Sequence, residues 1–281
     1  MKNIFKITIL LIFCWSCNPN LDIEMPSLKK QLVVDGWIEN GGYPMVILTY
    51  NSAFFSNLDS ASFRSLVASR AKVTVSDDNE SEILTLTFDT TYFPPFVYEG
   101  NVLKGAEGKT YYLTVEDVID TLHALTTIPN HPTIDSLWIE YLNNDDTMGV
   151  LKCKFTDNPN EKNYYRTFTK IGKSNHFVPT LFSCFSDENF NGKTVIFTLN
   201  KGNDNQLSPI SNIYFRKGDS ITFKFSAIDK ASFTFWLAYE EAVLNSSSPF
   251  SSDHNQLVSN TDKGLGIWCG YGSSYYAIIA K

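Results

Sequence analysis

Leu32-Val33-Val34-Asp35-Gly36-Trp37-Ile38, followed after Asn40-Gly41-Gly42 by Met45-Val46-Ile47-Leu48-Thr49, is the stretch that decides the fold. β-Branched and aromatic side chains suit a pleated, half-buried surface, and an Asn-Gly step suits a tight reversal. The two runs therefore read as a strand pair. The pattern repeats downstream: Ala71–Val75, Ile83–Phe88 and Tyr111–Val115 alternate, and Leu122–Ile128 closes the set. Seven or so strands in about 100 residues predict an immunoglobulin- or transthyretin-like sandwich over residues 31–128.

Pro129-Asn130-His131-Pro132 is the expected boundary, because two prolines keep the chain extended and interrupt pairing. Beyond it, Ser136–Leu142, Gly149–Phe155, Tyr164–Thr169, Thr194–Leu199 and Ser220–Phe225 read as strands. Ile267–Tyr271 and Tyr275–Ala280 read as two closing strands. Ile228–Leu244 departs from the two-residue period. Phe233, Trp236, Leu237, Glu240, Val243 and Leu244 recur there at helical spacing, after Asp229 or Ser232 as a cap. An amphipathic helix is expected near 229–244. Residues 133–281 thus read as a second, larger β-sandwich with one helix. The fold class is all-β, with two sandwich domains.

The amino-terminal end has a different grammar. Lys2 and Lys6 precede an apolar run, Ile7–Trp15, that is too short to span a bilayer. Cys14-Trp15-Ser16-Cys17 and the polar Asn18-Pro19-Asn20 follow. A small residue directly before a cysteine is what a lipoprotein signal requires: the thiol takes a diacylglycerol and a peptidase cuts ahead of it. Residues 1–16 are read as a signal peptide, Cys17 as the lipidated residue, and 17–30 as a tether. A plain secretory signal cut nearby is the other reading, since Cys14 and Trp15 are unusual at their positions.

Composition narrows the function classes. The chain carries a net charge of −7, and removing residues 1–16 takes away two lysines and no acids, leaving −9. No Lys/Arg cluster offsets this, so nucleic acid is not an expected partner. Beyond Cys14 and Cys17, three cysteines remain, Cys153, Cys184 and Cys269. Their spacing matches no zinc pattern. They read as small buried hydrophobes, with a Cys153–Cys184 disulfide as the alternative that an exported location permits.

Several segments taken together resemble a known family. They are Leu32–Ile38; Gly108-Lys109-Thr110-Tyr111-Tyr112-Leu113; Asp157–Arg166; Phe185-Ser186-Asp187 with Phe190-Asn191-Gly192-Lys193; and Gly264–Trp268 with Gly270-Tyr271. In this order they resemble the Bacteroidota lipoprotein family of the domain of unknown function 4249. The resemblance implies an outer-membrane lipoprotein with a two-part β-sandwich body, often encoded beside a TonB-dependent receptor. It implies an accessory role in nutrient capture, and no assigned activity. Asp22 and Glu24 come late for a surface-export signal of that phylum, so the exposed face of the membrane is left open. A structural or adhesive surface module is the alternative function, and an envelope hydrolase with an unrecognised site is the third.

The chemistry-bearing motifs are few. Asp187-Glu188-Asn189-Phe190-Asn191-Gly192 matches the first half of a calcium loop, with Asp187, Asn189 and Asn191 as oxygen donors. Position 12 is Thr198 rather than Glu, and a strand starts at once, so a polar turn is the competing reading and no metal or other cofactor is expected. The Gly-Lys-Thr triplets at 108–110 and 192–194 lack the earlier glycine of a phosphate loop. The histidines (His123, His131, His176, His254) are scattered, and hydrolase signatures are missing, so no catalytic residue is assigned. Trp37, Trp138, Trp236 and Trp268 could offer a ring face to a sugar, although core packing is the ordinary fate of such residues. Trp268, among glycines and near Tyr271, is the best of them. Six Asp-Ser/Thr pairs match the O-glycosylation pattern of the phylum that the resemblance implies. Their acceptors are Ser60, Thr90, Thr121, Ser136, Thr147 and Ser220, and turn chemistry is the competing explanation.

Overall fold

The computed structural model describes residues 29–52, 65–142, 145–174, 176–202, 213–245 and 257–281. The signal region, Cys17 and the acceptor Ser60 lie outside the described residues, as does His254. The fold is all-β, with one helix among the described residues. In chain order, the first half holds β1 (Leu32–Glu39), β2 (Met45–Tyr50), β3 (Lys72–Ser76), β4 (Ser81–Ile83), β5 (Thr85–Phe88), β6 (Phe96–Glu99), β7 (Thr110–Glu116) and β8 (Thr121–Thr127). The second holds β9 (Ser136–Leu142), β10 (Asp145–Thr156), β11 (Tyr164–Ile171), β12 (Val178–Ser186), β13 (Thr194–Leu199), β14 (Phe215–Arg216), β15 (Ser220–Ile228), α1 (Lys230–Asn245) and β16 (Leu265–Ile279).

Three sheets result. The longest runs β12-β11-β15-β16-β1-β2-β6-β5 and draws strands from both halves of the sequence. Over its β1 end lies the sheet β4-β3-β7-β8; over its β15 end lies β13-β10-β14, with β9 paired to β10. Two apolar cores fill these sandwiches. The first gathers Val34, Ile38, Val46, Leu48, Val73, Leu113, Leu122 and Trp268; the second gathers Leu151, Phe155, Tyr165, Phe215, Phe223 and Phe225. In β1 the alternation is visible residue by residue: Leu32, Val34, Gly36 and Ile38 face the first core.

β16 ties the two halves together. Its first part, Leu265–Tyr271, pairs in parallel with β1; its second part, Gly272–Ile279, pairs antiparallel with β15. The two closing strands expected from the sequence are therefore one strand that changes partner midway. Its centre is buried continuously, as a strand covered on both faces must be. Gly272 marks the handover. A Cβ there would collide with the carbonyl of Pro129, where the extended Pro129-Asn130 segment crosses the strand. Gly36 has a similar task, because a Cβ would come within 2.9 Å of the Trp268 ring.

Three strands and the helix differ from the sequence reading. β6 follows directly on Pro94-Pro95 and β14 spans two residues, so neither shows a period. β12 is bulged: its register against β11 shifts between Arg166 and Phe168, and Phe182 takes a left-handed conformation (φ 55°) with its ring exposed. α1 runs 230–245 with Asp229 as its cap, the Oδ1 accepting from Ser232 N at 2.7 Å. Its buried face is rotated from the expected stripe. Phe235 is the deepest of its apolar side chains and stacks over Tyr239, while Leu244 is exposed. Phe235 joins Phe168 and Tyr271 of the sheet in one apolar cluster, to which Leu237 does not belong.

Candidate functional site

The face of the long sheet that carries α1 is unlike the two cores. On β1 the residues facing this way are Val33, Asp35, Trp37 and Glu39; from β16 come Ile267, Cys269 and Tyr271. From β11 and β15 come Arg166, Phe168 and Lys224, with Ser183 arriving through the β12 bulge. Helix α1 contributes Phe235, Trp236, Tyr239 and Glu240. Charged side chains from three strands and a helix thus meet where the two halves of the chain join.

Lys224 and Glu39 form an ion pair across β16, at 2.5 Å, with both side chains mostly buried. The Tyr275 hydroxyl donates to the other Glu39 oxygen. The Lys224 ammonium sits 5.1 Å from the Phe168 ring centre and 5.0 Å from that of Tyr271. Desolvation lowers its pKa, and Glu39 offsets part of that shift. Burial, then the Glu39 carboxylate, raises that of Tyr275.

Arg166 lies alongside, its guanidinium 3.5 Å from the Trp236 ring centre. Its Nη1 donates to the Tyr271 hydroxyl at 2.8 Å, and its Nε to Ser183 Oγ at 3.4 Å. Ser183 in turn donates to Glu240. The guanidinium is buried, yet among the described residues it has no carboxylate within ion-pair distance.

Asp35 is the open end of this array. Its side chain keeps accessible surface, yet surrounding protein desolvates the carboxyl and raises its pKa, with the field of Arg166 pulling the other way. Trp37, two residues along the same face of β1, packs on Tyr92, with ring centres 5.6 Å apart and tilted by 44°. Burial raises the Tyr92 pKa, as do the nearby charges of Asp89, Glu99 and Asp35.

These groups can hold a polar or charged ligand. The thiols at the site are poor nucleophiles, since burial pushes Cys184 and Cys269 up to about 12. Cys153, Cys184 and Cys269 are all buried and free, so the Cys153–Cys184 bridge is not formed. Two of the strands that would carry it, β10 and β12, belong to different sheets.

Of the residues singled out by sequence, Trp37, Trp236, Cys184, Cys269 and Tyr271 reach this site. Trp268 is 0% exposed, locked in the first core with its Nε1 donating to the Tyr111 carbonyl at 3.0 Å. Its ring has no face for a sugar: the neighbouring glycines admit the chain's own backbone, not a partner. Tyr271 is buried as well, so the pair forms no exposed platform. The calcium-like loop is a turn that ties two segments together. Asp187 Oδ2 accepts from Asn163 N at 2.8 Å, Asp157 Oδ2 accepts from Gly192 N at 2.9 Å, and Asn189 and Asn191 are exposed. His123 bonds Thr114 and His131 bonds Glu107, so the two share no partner. Thr90, Ser136, Thr147 and Ser220 are exposed, and Thr121 is half-buried. Asp35, Glu39, Arg166 and Lys224 carried no site assignment, although Asp35 and Arg166 stand within segments that support the family resemblance.

Two comparisons complete the description. The family model described as Domain of unknown function (DUF4249) matches residues 19–276, and the chain belongs to that family. A search of curated proteins found no match.

Proposed function

We propose that this member of the family is a lipid-anchored envelope protein, a non-catalytic binding subunit that serves a TonB-dependent nutrient receptor at the outer membrane. The observation that carries the reading is Ser16-Cys17 behind Lys2, Lys6 and the short apolar run Ile7–Trp15. Each buried CH₂ of an acyl chain contributes ~0.8 kcal/mol, so two or three chains on Cys17 hold the protein in the bilayer for good. Among the described residues, no helix is long and apolar enough to cross a membrane. The charged side chains gathered among aromatic rings on the helix-bearing face support binding as the task of the body.

The test is made on the full chain in its native host. Cys17→Ser should abolish incorporation of labelled palmitate and move the protein from the membrane to the soluble fraction. Extraction of the wild type in a mild detergent should bring down a large β-barrel receptor with it. Firm membrane attachment of the Cys17→Ser protein would overturn the anchor. Isolation of the wild type as a lone monomer would overturn the accessory role and favour an adhesive one.

A further inference from the structure

We infer that the end of the first sandwich from which the chain leaves toward Cys17 lies against the bilayer, with the Val118-Ile119 tip of the β7–β8 turn and Leu265 seated among the lipid headgroups. The inference rests on the lipid anchor proposed above and adds which side of the body meets the membrane.

The first argument is where the chain leaves. The described residues begin at Lys29, whose carbonyl accepts from Asn51 Nδ2 at 3.0 Å, and Asn51 Oδ1 accepts from Gln31 N at 2.8 Å. Leu32 pairs with Tyr50, so the start of β1 and the end of β2 mark one end of the sandwich. The Tyr50 hydroxyl donates to Asp117 Oδ2 at 3.0 Å, and Lys263 reaches Asp120 at 2.7 Å. The turn at 117–120 and the start of β16 therefore stand at that same end. From Cys17 to Lys29 the chain advances twelve residues and reaches at most ~40 Å, so an anchored Cys17 keeps this end close to the bilayer. Within that reach, a contact too weak to hold a free protein is occupied for much of the time.

The second argument is what this end presents. Val118 is 90% exposed, the most of any large apolar side chain among the described residues, and Ile119 and Leu265 are exposed as well. The turn that carries the pair is closed: Asp117 N donates to the Asp120 carbonyl at 3.1 Å, and Ile119 N to Asp117 Oδ2 at 3.3 Å. An apolar tip has no partner in water, whereas the headgroup boundary removes its area from water.

Charge sorts the two ends in the same sense. Glu116 and Asp120 are paired with Lys72 and Lys263 at 2.6 and 2.7 Å, and Lys30 sits over the Tyr50 ring at 3.7 Å. β3 runs from Lys72, opposite Glu116, to Ser76, so the Asp77-Asp78-Asn79-Glu80 turn lies at the far end, with Lys109 on Asp77. A chain of net charge −7 approaches an anionic headgroup layer best by the end whose acids are already covered.

The experiment uses the mature, lipidated chain, purified and reconstituted alone into vesicles of phosphatidylethanolamine and phosphatidylglycerol. An environment-sensitive fluorophore is attached through Val118→Cys, and in a control through Val102→Cys, an exposed position toward the far end. Cys153, Cys184 and Cys269 are buried, and lipid blocks Cys17, so the introduced thiol takes the label. The emission at position 118 should shift to the blue, and a nitroxide near the head of the acyl chain should quench it about 2-fold or more, with neither effect at position 102. Ile119→Cys is the second position if Val118→Cys does not fold. An unquenched label at 118 or 119 in protein that floats with the vesicles would overturn the contact and leave the anchor standing. A blue shift without quenching would seat the tip on a second copy of the chain and overturn the bilayer as its partner. Equal quenching at 102 would overturn the orientation. Protein that does not float with the vesicles would overturn the anchor, and this inference with it.

Discussion

On its inner faces the long sheet is apolar from end to end: Val34, Ile38 and Val46 meet Leu113, Leu122 and Trp268 on one side of the seam, and Phe223 and Phe225 meet Leu151 and Phe155 on the other. On the face under α1 the same strands present Asp35, Glu39, Arg166 and Lys224 among aromatic rings. The inner faces gain stability from area removed from water, about 25 cal/mol per Å². The helix-bearing face spends part of that gain on desolvating charge. A sheet that needed only to be covered would carry apolar residues there, so the charges point to a use other than folding.

The largest expected effect tests the inner face. Trp268→Ala removes the biggest fully buried side chain and its indole bond to the Tyr111 carbonyl, and should cost about 3–5 kcal/mol in denaturant unfolding. A cost below about 1 kcal/mol would mean that the first core does not depend on β16, and that the halves are less firmly joined than the strand pairing indicates.

Next in size is the ion pair on the opposite face. Lys224→Ala leaves Glu39 buried with only Tyr275 as donor, and should cost about 3–5 kcal/mol. Replacing both partners, as Lys224→Met with Glu39→Leu, should recover most of that loss or exceed the wild type by about 1–4 kcal/mol. Trp268→Ala has no such second-site cure. If the double variant were as unstable as the single one, the two faces would obey the same energetics and the contrast would fail.

How much of this could be read from the chain follows from the same contrast. Strands facing a core alternate, so β1, β2, β3, β7 and β8 were legible, and the helix was expected within a residue of its place. The charged face was not legible. Asp35, Glu39 and Lys224 alternate with apolar residues, and that pattern reads as a solvent-facing edge of the period. What encloses Glu39 and Lys224 is a set of rings brought from other strands, Phe168, Tyr271 and Tyr275, which no local pattern encodes. Trp268 misled for a related reason. Glycines beside a tryptophan look like an open approach, whereas at Gly36 the space is filled by the Trp268 ring itself.

The smaller effects concern two aspartates with opposite linkage, and they sharpen the contrast most. Asp77, in the turn between β3 and β4, accepts from Lys109 and from the N–H groups of Asn79 and Glu80, which bring its pKa down to about 2. A depressed carboxyl contributes stability that is complete above its unfolded pKa of ~3.9 and lost as pH falls through about 2. Asp77→Asn should therefore cost about 1 kcal/mol at neutral pH, limited by the solvent around Lys109, and nothing at the acid end. Asp35 runs the other way. Its pKa is raised by desolvation, so the folded state carries a penalty at neutral pH that fades as acid protonates the carboxyl. Asp35→Asn should stabilise the protein slightly at neutral pH, and the advantage should shrink as pH falls toward the unfolded value of ~3.9. Melting curves of the three proteins between pH 7 and the acid limit check both signs at once. Destabilisation by Asp35→Asn at neutral pH would make Asp35 a structural group like Asp77, and the helix-bearing face would lose its claim to hold a site kept at a cost.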